Sequence, residues 1–296
     1  MLPIRKSSIN QTKEDIYLSS FIKKQKMKSY IYLLGLILLN LTTSCKKESK
    51  EWSYVKTIDL GSTTPIGLTA MEDHLWIADG DNNQLIHLDS ERKVLFKEEG
   101  FERPMHIASD GKSIYVPEYG KDQITIFKGD ERTKLNLVDS LDAPAGIHIK
   151  DGQMAIADFY NHRILFSNDG NWISFGKEGK ADGEFYYPTD VHIAHQKIYV
   201  ADAYNNRVQV FDYKGTHVQT IGKTEKMNAA TGIYVSQSQV FVTDFEHDRI
   251  LIYDLEGKLV QEISEGLEKP TDILIENESL YIANYKGKNL MVYKLN

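Results

Sequence analysis

Histidine and aspartate recur in this 296-residue chain at positions that a regular spacing picks out. Two residues after Pro65, Pro104, Pro144, Pro188, Ala230 and Pro270 stand Gly67, His106, Gly146, Asp190, Gly232 and Asp272. Glycine alternates there with side chains that can ligate a metal. One imidazole and two carboxylates suit zinc, and the carboxylates suit a harder ion such as calcium as well. The same aspartates could instead cap a turn. Two residues further on come Thr69, Ala108, His148, His192, Tyr234 and Leu274. A strand rises about 3.3 Å per residue, so this second layer lies roughly 6–7 Å from the first. His148 and His192 fall in adjacent units and could hydrogen-bond through water, or simply be solvated filler. No Ser/His/Asp pattern, Gly-rich phosphate loop or paired-cysteine motif accompanies them.

The elements that position these residues are repeats. Fourteen residues after each opening position comes Asp79, Glu118, Asp158, Asp202, Asp244 or Asn284, while the openings themselves stand 39 to 44 residues apart. A constant core with variable spacers places the length changes in loops. Three before the acidic position sit Trp76, Tyr115, Ala155, Tyr199, Phe241 and Tyr281; five after it sit Gln84, Gln123, Arg163, Arg207, Arg249 and Asn289. Aromatic and β-branched residues alternate through these runs, which reads as strand and not helix. Fourth strands are expected at 93–98, 135–141, 172–176, 216–221 and 258–263. Four strands per roughly 41 residues is the size of a propeller blade. The acidic residue and the following Asn and Arg are expected to satisfy turn backbone and link blades, since six copies of one catalytic group would make no sense.

Ala157-Asp158-Phe159-Tyr160-Asn161-His162-Arg163-Ile164, with the lead-in Gly183-Glu184-Phe185-Tyr186-Tyr187-Pro188, resembles the NHL repeat family over residues 52–296. The absence of any Trp-Asp dipeptide separates it from WD40 repeats. The resemblance implies an all-β, six-bladed propeller of four-stranded antiparallel blades. The sixth unit ends without a fourth strand, and 52–60 is a strand without a blade. An unpaired edge is a liability, so 52–60 is expected to close the ring as the outer strand of the last blade.

By the family's geometry, His106, Asp190 and Asp272 face the channel mouth from blades two, four and six. Peptidylglycine-amidating lyases, which are six-bladed relatives, place three zinc histidines on alternate blades near this point; only His106 matches that type. The turns after the second strands present Tyr119, Phe159, Tyr160, Tyr204, Phe245 and Tyr285 on the same face. Aromatic residues around a polar mouth favour saccharide, peptide or protein ligands, although partial burial between loops would also explain them.

The N-terminus reads separately. Residues 30–41 form an apolar run too short to span a bilayer but suited to a signal peptide, with Lys23, Lys24, Lys26 and Lys28 as its basic flank. Cys45, the sole cysteine, follows a run of small residues and resembles a bacterial lipobox, with Leu41 four places before it where the usual pattern has three. The expected organisation is an extended start (1–26), a lipoprotein signal peptide (27–44), a charged tether (45–51) and the propeller (52–296). With no second thiol, no disulfide supports the fold. Residues 1–44 hold seven Lys/Arg and two Asp/Glu, which leaves 28 basic and 40 acidic residues beyond them, a net of −12. Such a surface repels nucleic acid and anionic lipid. The expectation is a lipid-anchored binding module of the bacterial cell envelope, not an enzyme. The alternative is a metal-dependent lyase or lactonase-like hydrolase using His106, Asp190 and Asp272. A purely structural envelope component is a third reading.

Overall fold

A computed structural model describes residues 18, 20–27, 51–137 and 139–296. Residues 20–27 are helical and exposed, in a unit separate from residues 51–296. No helix among the described residues is long and apolar enough to cross a membrane. The apolar run 30–41, Cys45 and the tether at 45–50 lie outside the described residues.

Residues 51–296 form six four-stranded antiparallel sheets arranged as the blades of a propeller. Blade one comprises β2 (Pro65–Met71), β3 (His74–Asp79), β4 (Gln84–Leu88) and β5 (Val94–Glu99). Blade two comprises β6 (Ala108–Ser109), β7 (Ile114–Glu118), β8 (Gln123–Lys128) and β9 (Glu131–Lys134). Blade three runs β10 (Pro144–Lys150), β11 (Gln153–Asp158), β12 (Arg163–Asn168) and β13 (Asn171–Phe175). Blade four runs β14 (Pro188–Ala194), β15 (Lys197–Asp202), β16 (Arg207–Phe211) and β17 (His217–Ile221). Blade five runs β18 (Ala230–Val235), β19 (Gln239–Asp244), β20 (Arg249–Asp254) and β21 (Leu259–Ile263). Blade six has β22 (Pro270–Glu276), β23 (Ser279–Asn284) and β24 (Asn289–Leu295), and β1 (Trp52–Asp59) supplies its outer strand. The pairing runs from Trp52 opposite Leu295 to Asp59 opposite Asn289, which is the closure the unpaired ends required.

Why the blades adhere follows from the alternation. Side chains of one sheet face meet the next sheet in six apolar clusters, one between each neighbouring pair of blades. Ile77 and Ile86 of blade one meet Tyr281 and Leu290 of blade six, for example, and Tyr199 and Val210 of blade four meet Val242 and Tyr253 of blade five. Full burial of each such side chain contributes about 1.5–3 kcal/mol.

The acidic repeat positions take the structural role expected of them. Asp202 is buried and accepts hydrogen bonds from the Tyr186 N–H (2.8 Å), Asn205 and Arg207 Nε (2.8 Å), and Arg207 also reaches the Ala181 and Glu184 carbonyls. Asp158 and Asp244 repeat this with Arg163 and Arg249. A second latch was not foreseen. In blades one to five the last turn residue before the third strand accepts from the backbone N–H just ahead of the next blade's opening: Asn83 from Arg103, Asp122 from Ala143, His162 from Tyr187, Asn206 from Ala229 and Asp248 from Lys269.

One fourth strand differs from expectation. Blade two's outer strand is Glu131–Lys134, not 135–141. Gly129 (φ 59°) and Asp130 form a two-residue hairpin that pairs Lys128 with Glu131, so turn chemistry decides the register against the apolar run that follows. Leu135, Leu137 and Leu141 pack instead against the core between blades two and three.

Candidate functional site: a buried His/Asp/Asp ring between two cavities

Each ring residue is held by its strand start. The His106 N–H donates to the Ala145 carbonyl (3.1 Å), and its backbone bridges in parallel to Gly146 of blade three. Asp190 accepts from the Val191 N–H (2.8 Å) with one carboxylate oxygen, and from the Ile233 N–H of blade five (2.9 Å) with the other. Asp272 does the same with Ile273 (2.7 Å) and with Leu68 of blade one (2.6 Å). The even blades thus each bond to the following blade at the axis.

Their side chains converge. His106 Nδ1 lies 3.6 Å from Asp272 Oδ2 and 3.8 Å from Asp190 Oδ2, and one donor atom from each residue falls within a 4.8 Å span. Those separations are too long for hydrogen bonds. They fit three donors sharing one ion at about 2.1 Å each. His106 Nδ1 is buried and has no hydrogen-bond partner among the described residues. An unmet buried nitrogen beside two carboxylate oxygens is a site for a cation or for a proton.

The proton side of that alternative is readable. Burial alone would lower the His106 pKa, but the charge of Asp190, with Asp272 behind it, outweighs burial and raises it to about 9. Burial pushes Asp190 up to about 7; His106 opposes this and the Asp272 charge adds to it. His106 as an imidazolium supplies the counter-charge when no ion does.

Two cavities flank the ring. The upper face is the one that carries the inner-strand starts and the turns after the second strands. On it, a cavity of about 330 Å³ is lined by Tyr119, Phe159, Tyr204, Phe245 and Tyr285, with His106 at its floor. All six expected aromatic residues lie on this face. Tyr119, Phe159, Tyr160 and Tyr204 form one cluster, with Phe159 centred 5.6 Å from Tyr119, 5.0 Å from Tyr160 and 6.5 Å from Tyr204. Tyr160 and Tyr204 remain 47% and 60% exposed. Phe245 and Tyr285 make a separate pair at 6.3 Å.

Sequence reasoning missed Tyr186 and Tyr187 as members of this cluster. Tyr187 stacks on Phe159 at 4.8 Å and meets Tyr204 edge-on at 5.1 Å. The signal is the Tyr-Tyr-Pro lead-in, which also marks the repeat. Arg103, whose guanidinium lies 5.0 Å over Tyr119, was also missed.

Beneath the ring, a chamber of about 90 Å³ is lined by His106, Asp190, Asp272, His148 and His192. It leads to a lower mouth of about 450 Å³ bordered by Lys150, His195, Tyr234 and Glu276, at the ends of the inner strands. From the sequence, His148 and His192 could bond through water or be solvated filler. Their rings touch directly, 3.9 Å between centroids, because adjacent inner strands converge towards the axis. His148 Nδ1 accepts the Ile193 N–H (3.2 Å). Burial, with Lys150 adding, pushes His148 down to about 3, and burial and His148 push His192 well down, so both are neutral imidazoles. Tyr234 sits edge-on to His192 at 4.9 Å.

Residues 190–269 match the model of a family described as DUF5128, 6-bladed beta-propeller. No curated protein matches the sequence. Among solved structures, a gluconolactonase from Xanthomonas campestris superimposes with a TM-score of 0.67 at 14% identity, over 84% of this chain and 96% of that one. Virginiamycin B lyase from Staphylococcus aureus, in a catalytically inactive form with quinupristin, gives a TM-score of 0.60 at 14% identity, over 83% and 88% of the two chains. A streptogramin B lyase gives 0.58 at 15% identity, over 84% and 98%. At such identities the likeness is one of fold: this chain is an all-β, six-bladed propeller.

Proposed function

We propose that this chain is an NHL-type binding module, tethered to the bacterial envelope through lipidated Cys45, that holds a saccharide on its upper face. The observation that carries the reading is the run of contacting rings from Tyr119 through Phe159 to Tyr204 around a concave mouth, with Tyr160 and Tyr204 half exposed. Exposed ring faces beside polar groups suit the mixed apolar and hydroxylated faces of a sugar, while a peptide or protein ligand would use the same platform. The net charge of −12 past residue 44 argues against nucleic acid. Calorimetric titration with envelope polysaccharide fragments tests this. Tyr160→Ala with Tyr204→Ala should weaken binding at least tenfold while leaving the melting temperature within about a degree. Unchanged affinity in the double variant would sink the upper-face reading. Release of Cys45→Ala into the soluble fraction tests the anchor, and retention in the membrane would count against it.

A second reading, a metal-dependent lyase or lactonase-like hydrolase, is favoured by one observation: the unpartnered His106 Nδ1 facing Asp190 and Asp272. It also accords with the folds of the lyases and the gluconolactonase. Elemental analysis of purified protein should then find a stoichiometric divalent ion such as zinc or calcium that disappears in His106→Ala.

A further inference from the structure

The ring carboxylates do not open on the aromatic face. His106 lines both cavities, but Asp190 and Asp272 line the chamber beneath and not the upper cavity. Above the carboxylates the strand starts are tied shut. The Thr189 hydroxyl donates to the Ala230 carbonyl (3.3 Å), joining blade four to blade five. The Thr271 hydroxyl donates to the Pro65 carbonyl (2.9 Å), joining blade six to blade one. Blade two is bridged to blade three at His106 and Gly146. Below the ring the blades are tied along the wall, by the Tyr234 hydroxyl to the Ile275 carbonyl (3.3 Å) and the Ile193 N–H to His148 Nδ1 (3.2 Å), and the chamber shares Thr69, His148, His192, Tyr234 and Leu274 with the lower mouth.

Resting on the reading of the ring as a cation site, we propose that a divalent ion enters from the lower face and keeps part of its water shell in the chamber, hydrogen-bonded to His148 and His192. Three protein donors leave a six-coordinate ion with open positions. The unoccupied side is the chamber, since the upper side is backbone and threonine. A chamber of about 90 Å³ has room for a small number of waters. Such waters need partners, and the chamber wall offers them. With Nδ1 of His148 accepting the Ile193 N–H, the neutral ring carries its proton on Nε2, a donor. His148 and His192 thereby act as positioning residues for the ion's water and not as its ligands.

Co²⁺ is a suitable probe, because its visible absorption reports coordination without any catalytic assay. Purified full-length chain is titrated with Co²⁺, and uptake is followed by stopped flow. His148→Phe with His192→Phe should leave the three ligands in place yet weaken Co²⁺ at least tenfold and alter the band envelope. His192→Gln, which restores a polar partner, should recover most of the affinity; it also guards against misfolding of the Phe variant. Bulk at the lower mouth, Lys150→Trp with Gln237→Trp, should slow uptake at least tenfold. Bulk at the upper rim, Asp81→Trp with Glu246→Trp, should leave the rate unchanged. Upper-rim variants that slow uptake, or Phe variants that bind Co²⁺ like the wild type, would overturn the lower route. Absence of any Co²⁺ binding would instead overturn the cation reading of the ring itself.

Discussion

Gly146 lies so close to Asp190 that a β-carbon on it would stand 2.8 Å from the Asp190 Cα and 2.7 Å from the Thr189 carbonyl oxygen. The same holds for Gly67 against His106 and Met105, and for Gly232 against Asp272 and Thr271. The alternation of glycine with His or Asp around the axis is therefore steric. Each odd blade drops its side chain so that the next blade's strand can approach, and the even blades alone fill the axis.

Gly146→Ala should be destabilising by about 1–3 kcal/mol, the range for forcing extra volume into packed backbone. The two nearest contacting atoms are main chain and cannot rotate away. Chemical denaturation measures it. A neutral effect would mean that the blades separate easily at the axis.

Trp52 closes the ring in two ways. It pairs with Leu295 in blade six, and its ring meets Phe241 of blade five edge-on at 5.8 Å while its indole N–H donates to Gln239. Trp52→Ala should cost about 3–5 kcal/mol, as truncation of a buried aromatic does. Urea melts should keep a single transition at a lower midpoint. A midpoint within error of the wild type would show that the closure does not depend on this residue.

How far these features could be read from the sequence varied with what repetition can encode. Positions that solve the same packing problem in every blade, such as Asp158 with Arg163 or the β1 closure, recur or are conspicuous by their absence, and they were legible. The ring residues stood out because they break the repeat. Which way their carboxylates open was not legible: strand alternation tells which face meets the channel, but not whether a side chain leans up or down its axis. Tyr187 was missed for a related reason. It occupies a left-handed backbone position (φ 59°) whose counterparts are Arg103, Ala143, Ala229 and Lys269, so no other aromatic residue stands there to mark the position.

His148 makes a pH prediction. Its folded pKa lies below the ordinary histidine value, at about 3, because burial disfavours the charged ring. As pH falls from about 6.5, the unfolded chain takes up a proton that the folded chain refuses, so folding loses stability at up to about 1.4 kcal/mol per unit for a fully shielded group. His148 is half-buried, so the slope should be smaller. His148→Gln keeps an acceptor for Ile193 and removes the titration. Melting between pH 7 and 4 should fall less steeply in the variant than in the wild type; parallel slopes would refute a neutral buried imidazole.

The cleanest probe of the ring is His106, not the carboxylates. Asp190→Asn would set an amide NH₂ against one of the Val191 and Ile233 N–H donors that the carboxylate now accepts, costing about 1–3 kcal/mol whatever the ring binds. His106→Ala orphans no backbone group, since the ring nitrogen has no partner. In chelator, His106 stabilises the fold through its raised pKa: the contribution is complete below about 6.5 and is lost as pH rises through about 9. The wild-type advantage over His106→Ala should accordingly shrink between pH 6 and 9.5. With a divalent ion at a hundredfold excess over its Kd, the wild type should gain about 2.7 kcal/mol and keep it at high pH, where protons no longer compete. His106→Ala should gain nothing. An equal gain in both proteins would place the ion elsewhere, and a gain in neither, with the chelator trend intact, would make the ring a proton-held clasp between blades.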